Sequence, residues 1–179
     1  MRNILSLKTK LKSKPLSRWK IRKYVENLKR QLNINNYCEV NIIQIFEHLS
    51  LLLGFKYEIV EDEELPNEYA ETDIINNVIR IRSSVYERAY NGNPRDRFTI
   101  AHELGHFFLH SVSYSLARTI EEVKIYENPE WQANVFAGEF LVPTSHINNL
   151  TVIEVAKIYN VSKAVARIQL KESKKGPFF

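Results

Sequence analysis

Apolar residues recur with helical spacing in two stretches of the first third of the chain. The first stretch follows Ser17, a good N-cap, and an asparagine cluster at 33–36 ends it. The second runs from about Glu39 to Leu53 and stops at Gly54, which suits the left-handed residue that closes many helices. The positions predicted to face a core are Ile21, Val25, Leu28, Leu32, Val40, Ile43, Phe46, Leu49, Leu52 and Leu53. The sequence therefore predicts two core helices.

The spacing changes to that of strands after Gly54. Phe55–Val60 is predicted as a strand, and Tyr69–Ile75 and Val78–Arg82 as the arms of a hairpin around Asn76-Asn77, a pair that tolerates positive φ. The second arm alternates strictly, which indicates one covered and one solvent-facing side. We expect a short twisted sheet with an exposed edge that can hold an extended peptide, and Val78–Arg82 is the candidate strand.

Two Asn-Pro pairs predict helix starts, because Asn is a good N-cap and Pro fits the first helical position. Asn93-Pro94 opens a helix that runs to about His110. Residues 118–126 are predicted to be helical or irregular. Asn128-Pro129 then opens a further helix, which Pro143 ends. These two helices carry most of the chemistry described below.

Composition limits where the chain can work. A chain of 179 residues with 44% hydrophobic and 26% charged residues is typical of one globular domain with room for a small appendage. Cys38 is the single cysteine, so an intrachain disulfide and a cysteine cluster for zinc are both excluded. No apolar run can span a bilayer and the first residues lack the apolar region of a secretory signal, so we expect a cytoplasmic protein with no membrane partner.

The basic residues are concentrated near the N-terminus. Residues 1–36 carry eleven Lys or Arg and one acid, a net charge of +10, whereas the other 143 residues carry 14 bases and 20 acids, a net charge of −6. Residues 1–16 are predicted to be a flexible arm. Such an arm can contact nucleic acid, an acidic partner or a membrane, although a solvated tail and helix face is the commoner outcome. Because no base-reading side chains accompany it, DNA binding is possible but not favoured.

The helix after Asn93 contains the pattern of a metal site. Its centre, His102-Glu103-Leu104-Gly105-His106, places two histidines four residues apart, and therefore one turn apart on one helix face. Both imidazoles can bind a single Zn²⁺, and the glutamate beside them can take the proton of a metal-bound water. We predict Zn²⁺ as the cofactor, His102 and His106 as its ligands, and Glu103 as the general base and acid.

A catalytic zinc usually takes three protein ligands and leaves a fourth position for water. Leu109 and Val112 stand where the metzincin pattern needs a glycine and a histidine, which excludes that class. A glutamate of the following helix is the alternative, and Glu130 fits best because it lies in the first turn of that helix. Asn134, one turn further, can hydrogen-bond a ligand imidazole. The small residues that would let the two helices pack closely are Ala133, Asn134 and Ala137.

Several other residues compete for these roles. Glu139, Glu121 and Glu122 are rival ligands, but Glu139 lies about two and a half turns beyond Glu130 and so on the opposite side of the helix. His110 either steadies a developing oxyanion or closes its helix, where an imidazolium is favourable. The oxyanion candidates that the sequence cannot rank are His110, Tyr114, Tyr126 and His146.

Three stretches carry a resemblance to a known family. They are Arg97–His110 around the metal motif, Glu130 with Ala133-Asn134 and Phe136-Ala137, and Leu141-Val142-Pro143. In these stretches the chain resembles the ImmA/IrrE family of metallo-endopeptidases over about residues 37–175. The resemblance implies a zincin-like core with zinc on His102, His106 and Glu130 and with Glu103 as the catalytic acid/base. It also implies the substrate, a helix-turn-helix transcriptional repressor that is often encoded nearby, in bacteria, phages and mobile elements.

The C-terminal stretch Thr151–Leu170 is predicted as helix, tight turn, helix, with Ser162 as the cap of the second helix. We therefore expect an α+β protein with a mainly helical zincin-like core and small twisted β-sheet at 37–150. A basic arm and helix at 1–36 precede it, and a helix-turn-helix-like pair at 151–179 packs on it. The alternative function is a regulatory DNA- or protein-binding module with a structural or vestigial zinc site. The oligomeric state, the scissile bond and the activating trigger stay open.

Overall fold

The structure, a computed structural model, describes residues 10–110, 117–119 and 122–175. Seven helices and a small three-stranded mixed sheet make up most of this part, which confirms the predicted α+β class. The helices are α1 (Arg18–Gln31), α2 (Ile42–Leu53), α3 (Ser83–Tyr90), α4 (Pro94–His110), α5 (Pro129–Leu141), α6 (Val152–Tyr159) and α7 (Lys163–Ser173). Within the described ranges, no helix combines the length and apolarity needed to cross a membrane.

The predicted capping residues mark the start of α1 and the end of α2. Ser17 accepts a hydrogen bond from the backbone of α1, and Gly54 closes α2 with a φ of 70°. Helix α2 begins three residues later than predicted because Asn41 caps it. Leu52 and Leu53 are exposed, so their predicted place in the core is wrong. The predicted core positions that are buried are Ile21, Val25, Val40, Ile43, Phe46 and Leu49.

The sheet has the strand order β2 (Lys56–Val60), β4 (Val78–Arg82), β3 (Ala70–Asp73). Strands β3 and β4 form the predicted antiparallel hairpin, with Asn77 at a φ of 56°, and β2 pairs with β4 in parallel. Ile79 and Ile81 are buried, as the alternation predicted. Because β4 is the central strand and both of its edges are paired, it cannot hold a peptide as first predicted. The edge strand of the hairpin is β3.

The prediction of a flexible arm is wrong for residues 10–16. Strand β1 (Lys10–Lys12) pairs antiparallel with β5 (Ala117–Thr119). The backbone of Ser13 and Leu16 then donates to the carbonyls of Glu127 and Tyr126, at 2.8 and 2.9 Å. The stretch predicted as helical or irregular accordingly includes most of a strand and a short 3₁₀ turn at Ile125–Glu127. Backbone pairing of this kind leaves little trace in a pattern of side chains.

Both Asn-Pro helix starts are confirmed. The side chain of Asn93 accepts from the backbone of Arg95 and Asp96 in the first turn of α4, and that of Asn128 caps α5. Helix α3, which follows β4 directly, was not predicted. Its eight residues bury only Val85 and Ala89, a pattern too short to stand out.

The C-terminal helices form the predicted helix-turn-helix-like pair. Thr151 caps α6, Asn160 ends it with a φ of 48°, and Ser162 caps α7. Their buried side chains belong to the same apolar cluster as those of α1, α2, α4 and α5: Val155, Tyr159, Ala166 and Leu170. The pair therefore packs on the core, while the exact domain boundaries stay a prediction.

Candidate metal centre

Helix α4 presents His102 and His106 on one face, one turn apart. Their Nε2 atoms lie 2.9 Å from each other. Two neutral imidazoles that aim ring nitrogens at each other need either a shared proton or a shared cation between them. The geometry of α4 therefore marks a point just outside the helix where a positive ion is favourable.

Helix α5 brings Glu130 to the same point. Its Oε2 atom lies 3.2 Å from Nε2 of His102, and its Oε1 atom lies 3.3 Å from Nε2 of His106. Among the described residues, these three form the group whose ligand atoms all lie within 4.8 Å of one another. The helix start at Asn128-Pro129 sets this position, because it places Glu130 in the first turn.

The donor set fits a divalent metal ion. Ligand atoms about 2.0–2.1 Å from a tetrahedral zinc stand about 3.3 Å apart, close to the separations between the two imidazoles and the carboxylate. Two imidazoles and one carboxylate also suit other divalent metals. The arrangement can thus hold a metal ion with three protein atoms, and binding by His102, His106 and Glu130 stays a prediction.

Close packing of the two helices makes the convergence possible. Gly105 lies between the two histidines, and a Cβ atom there would stand 3.0 Å from Cα of Ala133 and 3.1 Å from its carbonyl oxygen. Ala133 and Ala137 are fully buried on the facing side of α5. The predicted role of a small residue at this contact is confirmed for Ala133, and Gly105 is its partner on α4.

Each imidazole is held from behind by a hydrogen bond. Nδ1 of His102 lies 3.1 Å from Oδ1 of Asn134, which confirms the predicted contact. Nδ1 of His106 lies 3.2 Å from Nδ1 of His110. Because Oδ1 of Asn134 only accepts, its contact places a hydrogen on Nδ1 of His102, and Nε2 is the nitrogen at which a metal can replace a proton.

The charges at the site follow from this arrangement. Hydrogen bonds from His102 and His106 hold the pKa of Glu130 well below its ordinary value, so the carboxylate is ionised. Burial works against a charge on His102, yet the carboxylates of Glu130 and Glu103 raise the pKa of His102 overall. The site therefore attracts positive charge to the point where the three side chains meet.

Glu103 is buried beside this point. Oγ1 of Thr72, on the edge strand β3, donates to Oε2 of Glu103 at 2.7 Å. Burial raises the pKa of Glu103 above its ordinary value, although the hydrogen bond from Thr72 opposes the shift. A raised pKa brings a carboxyl group closer to neutral pH, which suits a group that takes and returns a proton.

An open cleft runs past these side chains. A cavity of about 280 Å³ lies between β3 and the metal-binding face and is lined by Thr72, His102, Glu103, His106 and Glu130. A second cavity of about 510 Å³ shares His102 and Glu103 with it and continues between β3 and α7, past apolar side chains such as Phe98 and Val165. The two cavities thus form one cleft beside Glu103 and the candidate ligands.

The competing residues lie elsewhere. Glu139 is buried on the far side of α5 against Arg18, Arg22 and Thr144. Glu122 is exposed and outside the three-residue group, and Glu121 lies outside the described residues.

The described candidates for stabilising an oxyanion lie outside the cleft or face away from it. Burial lowers the pKa of His110 to about 4, so the imidazolium expected at the end of α4 does not form. His110 stands behind His106, away from the cleft. His146 packs on Tyr37 in a cavity that contains none of the three candidate ligands, and the ring of Tyr126 lies beside Lys124. Tyr114 lies outside the described residues.

Two residues of the site were missed from the sequence. Thr72 was noted only as part of a hairpin arm, and Gln132 only as part of a helix. Both act through contacts between distant segments: Thr72 with Glu103, and Gln132 with His110 and Lys14. The polar glutamine on the buried side of a predicted helix was the one available signal.

A sequence model described as the IrrE N-terminal-like domain of the M78 peptidases matches residues 60–171, more than half of the chain. The chain therefore belongs to this ImmA/IrrE family of metallopeptidases, as its motifs predicted. The matched range runs from the end of β2 into α7 and includes the two histidines and both glutamates of the site. A comparison with curated proteins gives no match.

Proposed function

We propose that this member of the IrrE N-terminal-like metallopeptidase family is a zinc-dependent endopeptidase with Glu103 as its general base and acid. The observation that carries the proposal is the position of that buried glutamate, beside the point where His102, His106 and Glu130 converge. A purely structural metal site needs no such neighbour, whereas hydrolysis needs a group that moves a proton.

In the proposed mechanism the chain itself holds the reacting groups in place. A bound zinc ion supplies positive charge that acidifies water and polarises a peptide carbonyl. Thr72 fixes Oε2 of Glu103 and so leaves Oε1 for proton transfer. Glu103 takes a proton from the attacking water at Oε1 and then donates it to the nitrogen of the leaving amine. The raised pKa of Glu103 suits both steps.

The edge strand β3 is the proposed site of the substrate backbone. One edge of β3 pairs with β4, and its residues Ala70 and Thr72 line the cleft beside Glu103. An extended peptide can add to such an edge as a further strand, which would lay its backbone across the metal site. This assigns to β3 the role that the sequence had suggested for Val78–Arg82.

The proposed substrate is a helix-turn-helix transcriptional repressor in the cytoplasm. This part of the proposal is supported by the family resemblance of the motifs, and the cleft supplies only the requirement for an extended segment. A repressor encoded next to the gene for this chain is therefore the substrate to try first.

The test compares the wild type with Glu103→Gln. Incubated with the neighbouring repressor, the variant should cleave at least about 100-fold more slowly because it cannot accept a proton. Metal analysis should show one zinc ion bound to each variant molecule. Glu63→Gln, an exposed change away from the cleft, is the matched control and should leave cleavage unchanged. Undiminished cleavage by Glu103→Gln would contradict the mechanism.

The second candidate is a regulatory binding module in which the metal is structural. The exposed side of α7 favours it, because Lys163, Arg167 and Lys171 all face solvent there. DNA binding by such a surface would be sensitive to salt and would survive Glu103→Gln. A gel shift with the wild type and with Glu103→Gln, at several salt concentrations, separates the two candidate functions.

A further inference from the structure

A chain of buried hydrogen bonds leads from the metal-binding face of α4 to the N-terminal segment. Nδ1 of His106 lies 3.2 Å from Nδ1 of His110, and Nε2 of His110 lies 3.0 Å from Oε1 of Gln132. The amide nitrogen of Gln132 lies 2.7 Å from the carbonyl oxygen of Lys14 and 2.8 Å from that of Tyr126. His110 and Gln132 are both buried.

The two carbonyl groups fix the direction of the whole chain. A carbonyl oxygen only accepts, so both hydrogens of the Gln132 amide point at Lys14 and Tyr126. Flipping the amide would aim its oxygen at two other oxygens, and Oε1 must therefore face His110. Since Oε1 also only accepts, Nε2 of His110 has to carry a hydrogen and donate it.

That hydrogen decides the state of the next imidazole. A neutral His110 with its hydrogen on Nε2 has a lone pair on Nδ1, which can accept from Nδ1 of His106. His106 then carries a hydrogen on Nδ1, and Nε2, which donates to Glu130 when it is protonated, is the nitrogen at which a metal ion can replace a proton. This is the atom that lies 3.3 Å from Glu130 and 2.9 Å from His102, where a metal ion would bind.

We propose that His110 and Gln132 are positioning residues that hold His106 in the tautomer and ring orientation required for metal binding. The proposal rests on the metal-binding role assigned to His106 above. It also gives the N-terminal segment a place in the site, since the carbonyl of Lys14 is one of the two groups that orient Gln132. The segment is fixed there by backbone hydrogen bonds from Ser13 and Leu16 and by an ion pair between Lys12 and Glu127.

Residues 13–16 thus support a catalytic centre from outside the part of the chain that the family model matches, which begins at residue 60. The contact is made by main chain, so the Lys14 side chain is free to vary. The two tautomers of His106 differ in which nitrogen is bare, and only one of them offers Nε2 to a metal.

The experiment measures zinc affinity and ring tautomers in the full chain. Competition with a chelator gives the zinc dissociation constant of the wild type, His110→Leu, His110→Gln and Gln132→Leu. Each leucine variant should bind zinc about 10–100-fold more weakly, the range typical of groups that orient a ligand imidazole. His110→Gln should restore most of the affinity, because its amide can accept from His106 and donate to Gln132. His48→Gln, an exposed change on α2, is the matched control.

Long-range ¹H–¹⁵N NMR of the zinc-bound wild type provides a second readout that needs no variant. The proposal requires the Nδ1–H tautomer at His106 and the Nε2–H tautomer at His110. The opposite tautomers, or full zinc affinity in a folded His110→Leu variant, would overturn it even if other variants fail to fold. A wild type that binds no zinc would also overturn it.

The outcomes separate this proposal from the function proposed above. Zinc affinity that depends on His110, in a protein that does not cleave the repressor, would remove the peptidase function and keep the positioning role. Cleavage of the repressor by a protein whose zinc affinity is independent of His110 would keep the peptidase function and remove the positioning role.

Discussion

Helix α5 carries two glutamates that differ in exposure and in the charge of their partners. The side chain of Glu139 is 2% exposed and is held by two guanidinium groups, of Arg18 and Arg22, and by the hydroxyl of Thr144. The side chain of Glu130 is 64% exposed and meets two imidazoles, which carry a full charge only when protonated. The carboxylate of Glu139 is thus paired with permanent positive charges, whereas that of Glu130 faces groups that can bind a ligand from solution together with it.

The difference shows how a structural acid differs from a candidate metal ligand on the same helix. Arginine is always charged, so an acid paired with it needs no ion. Histidine offers a lone pair that suits a metal better than it suits a carboxylate. The partners of a carboxylate, more than its burial, therefore indicate its role. Three predictions test this contrast, and they follow from the largest expected effect to the smallest.

The first exchanges each glutamate for glutamine. Glu139→Gln leaves Arg22 without its carboxylate and Arg18 with Glu172 alone, and should lower the free energy of unfolding by about 3 kcal/mol. Glu130→Gln removes a metal ligand from an exposed position and should change the stability of the zinc-free protein by less than about 1 kcal/mol. Its zinc affinity, in contrast, should fall by at least about 100-fold. Urea unfolding without zinc and chelator competition measure the two effects.

The matched control is Glu26→Gln, which breaks an exposed ion pair with Lys23 on α1. Its effect on stability should stay within about 0.5 kcal/mol. A Glu139→Gln variant that keeps its stability and loses zinc would reverse the assignment of the two glutamates.

The second prediction concerns the other buried charge on the Glu139 side of α5. Nζ of Lys29 donates to the carbonyl of Phe140 at 3.0 Å, and burial lowers the pKa of Lys29 to about 8. Between pH 8 and about 10.5 the unfolded chain therefore holds a proton that the folded chain has lost. Stability contributed by this group should rise with pH across that window, by about 1–3 kcal/mol.

Urea unfolding at pH 7.5 and 9.5 measures this gain, taken as the wild type minus Lys29→Met so that other titrating groups cancel. The difference should grow in favour of the wild type as the pH rises. The same comparison with Lys23→Met, an exposed lysine on the same helix, should show no trend. A flat difference for Lys29→Met would mean that this lysine is hydrated in the folded protein.

These contrasts also explain what could be read from the sequence. The candidate ligands His102 and His106 are one turn apart on a single helix, and Glu130 lies in a first turn set by an Asn-Pro cap, so local rules were enough to predict the group. Lys29 was counted with a solvated basic face, because nothing local reveals that Phe140, more than a hundred residues away, accepts from it.

The same limit applies to the sheet and to the N-terminal segment. The hairpin of β3 and β4 was predicted from alternation and a turn, but the parallel pairing of β2 that makes β4 central depends on tertiary packing. Likewise, the docking of residues 10–16 depends on backbone groups, which every sequence has. Chemistry within one or two helices was predictable, and the contacts that support it from a distance were not.

The third prediction adds one methyl group near Glu130, by Gly105→Ala, and one beside Glu139, by Gly138→Ala. In Gly105→Ala the new Cβ atom would stand 3.0 Å from Cα of Ala133 on α5, so helix backbone must move. The overpacking should cost about 1–3 kcal/mol, part of which the better helix propensity of alanine offsets. Because Glu130 lies one turn before Ala133, the same shift separates its carboxylate from the two imidazoles. The free energy of zinc binding should therefore fall by more than the free energy of unfolding does.

Gly138→Ala is the matched control on the Glu139 side of α5. Its Cβ atom would also meet an atom at 3.0 Å, but that atom is Oε1 at the far end of the Gln169 side chain. A side-chain end can give way where a helix backbone cannot, so zinc affinity should stay at the wild-type value, and any loss should appear in urea unfolding alone. Equal zinc affinities for both variants would show that the spacing of α4 and α5 at Gly105 does not set the metal site. A loss confined to Gly105→Ala would show that close helix packing, as well as the identity of three ligands, makes Glu130 a metal-binding residue.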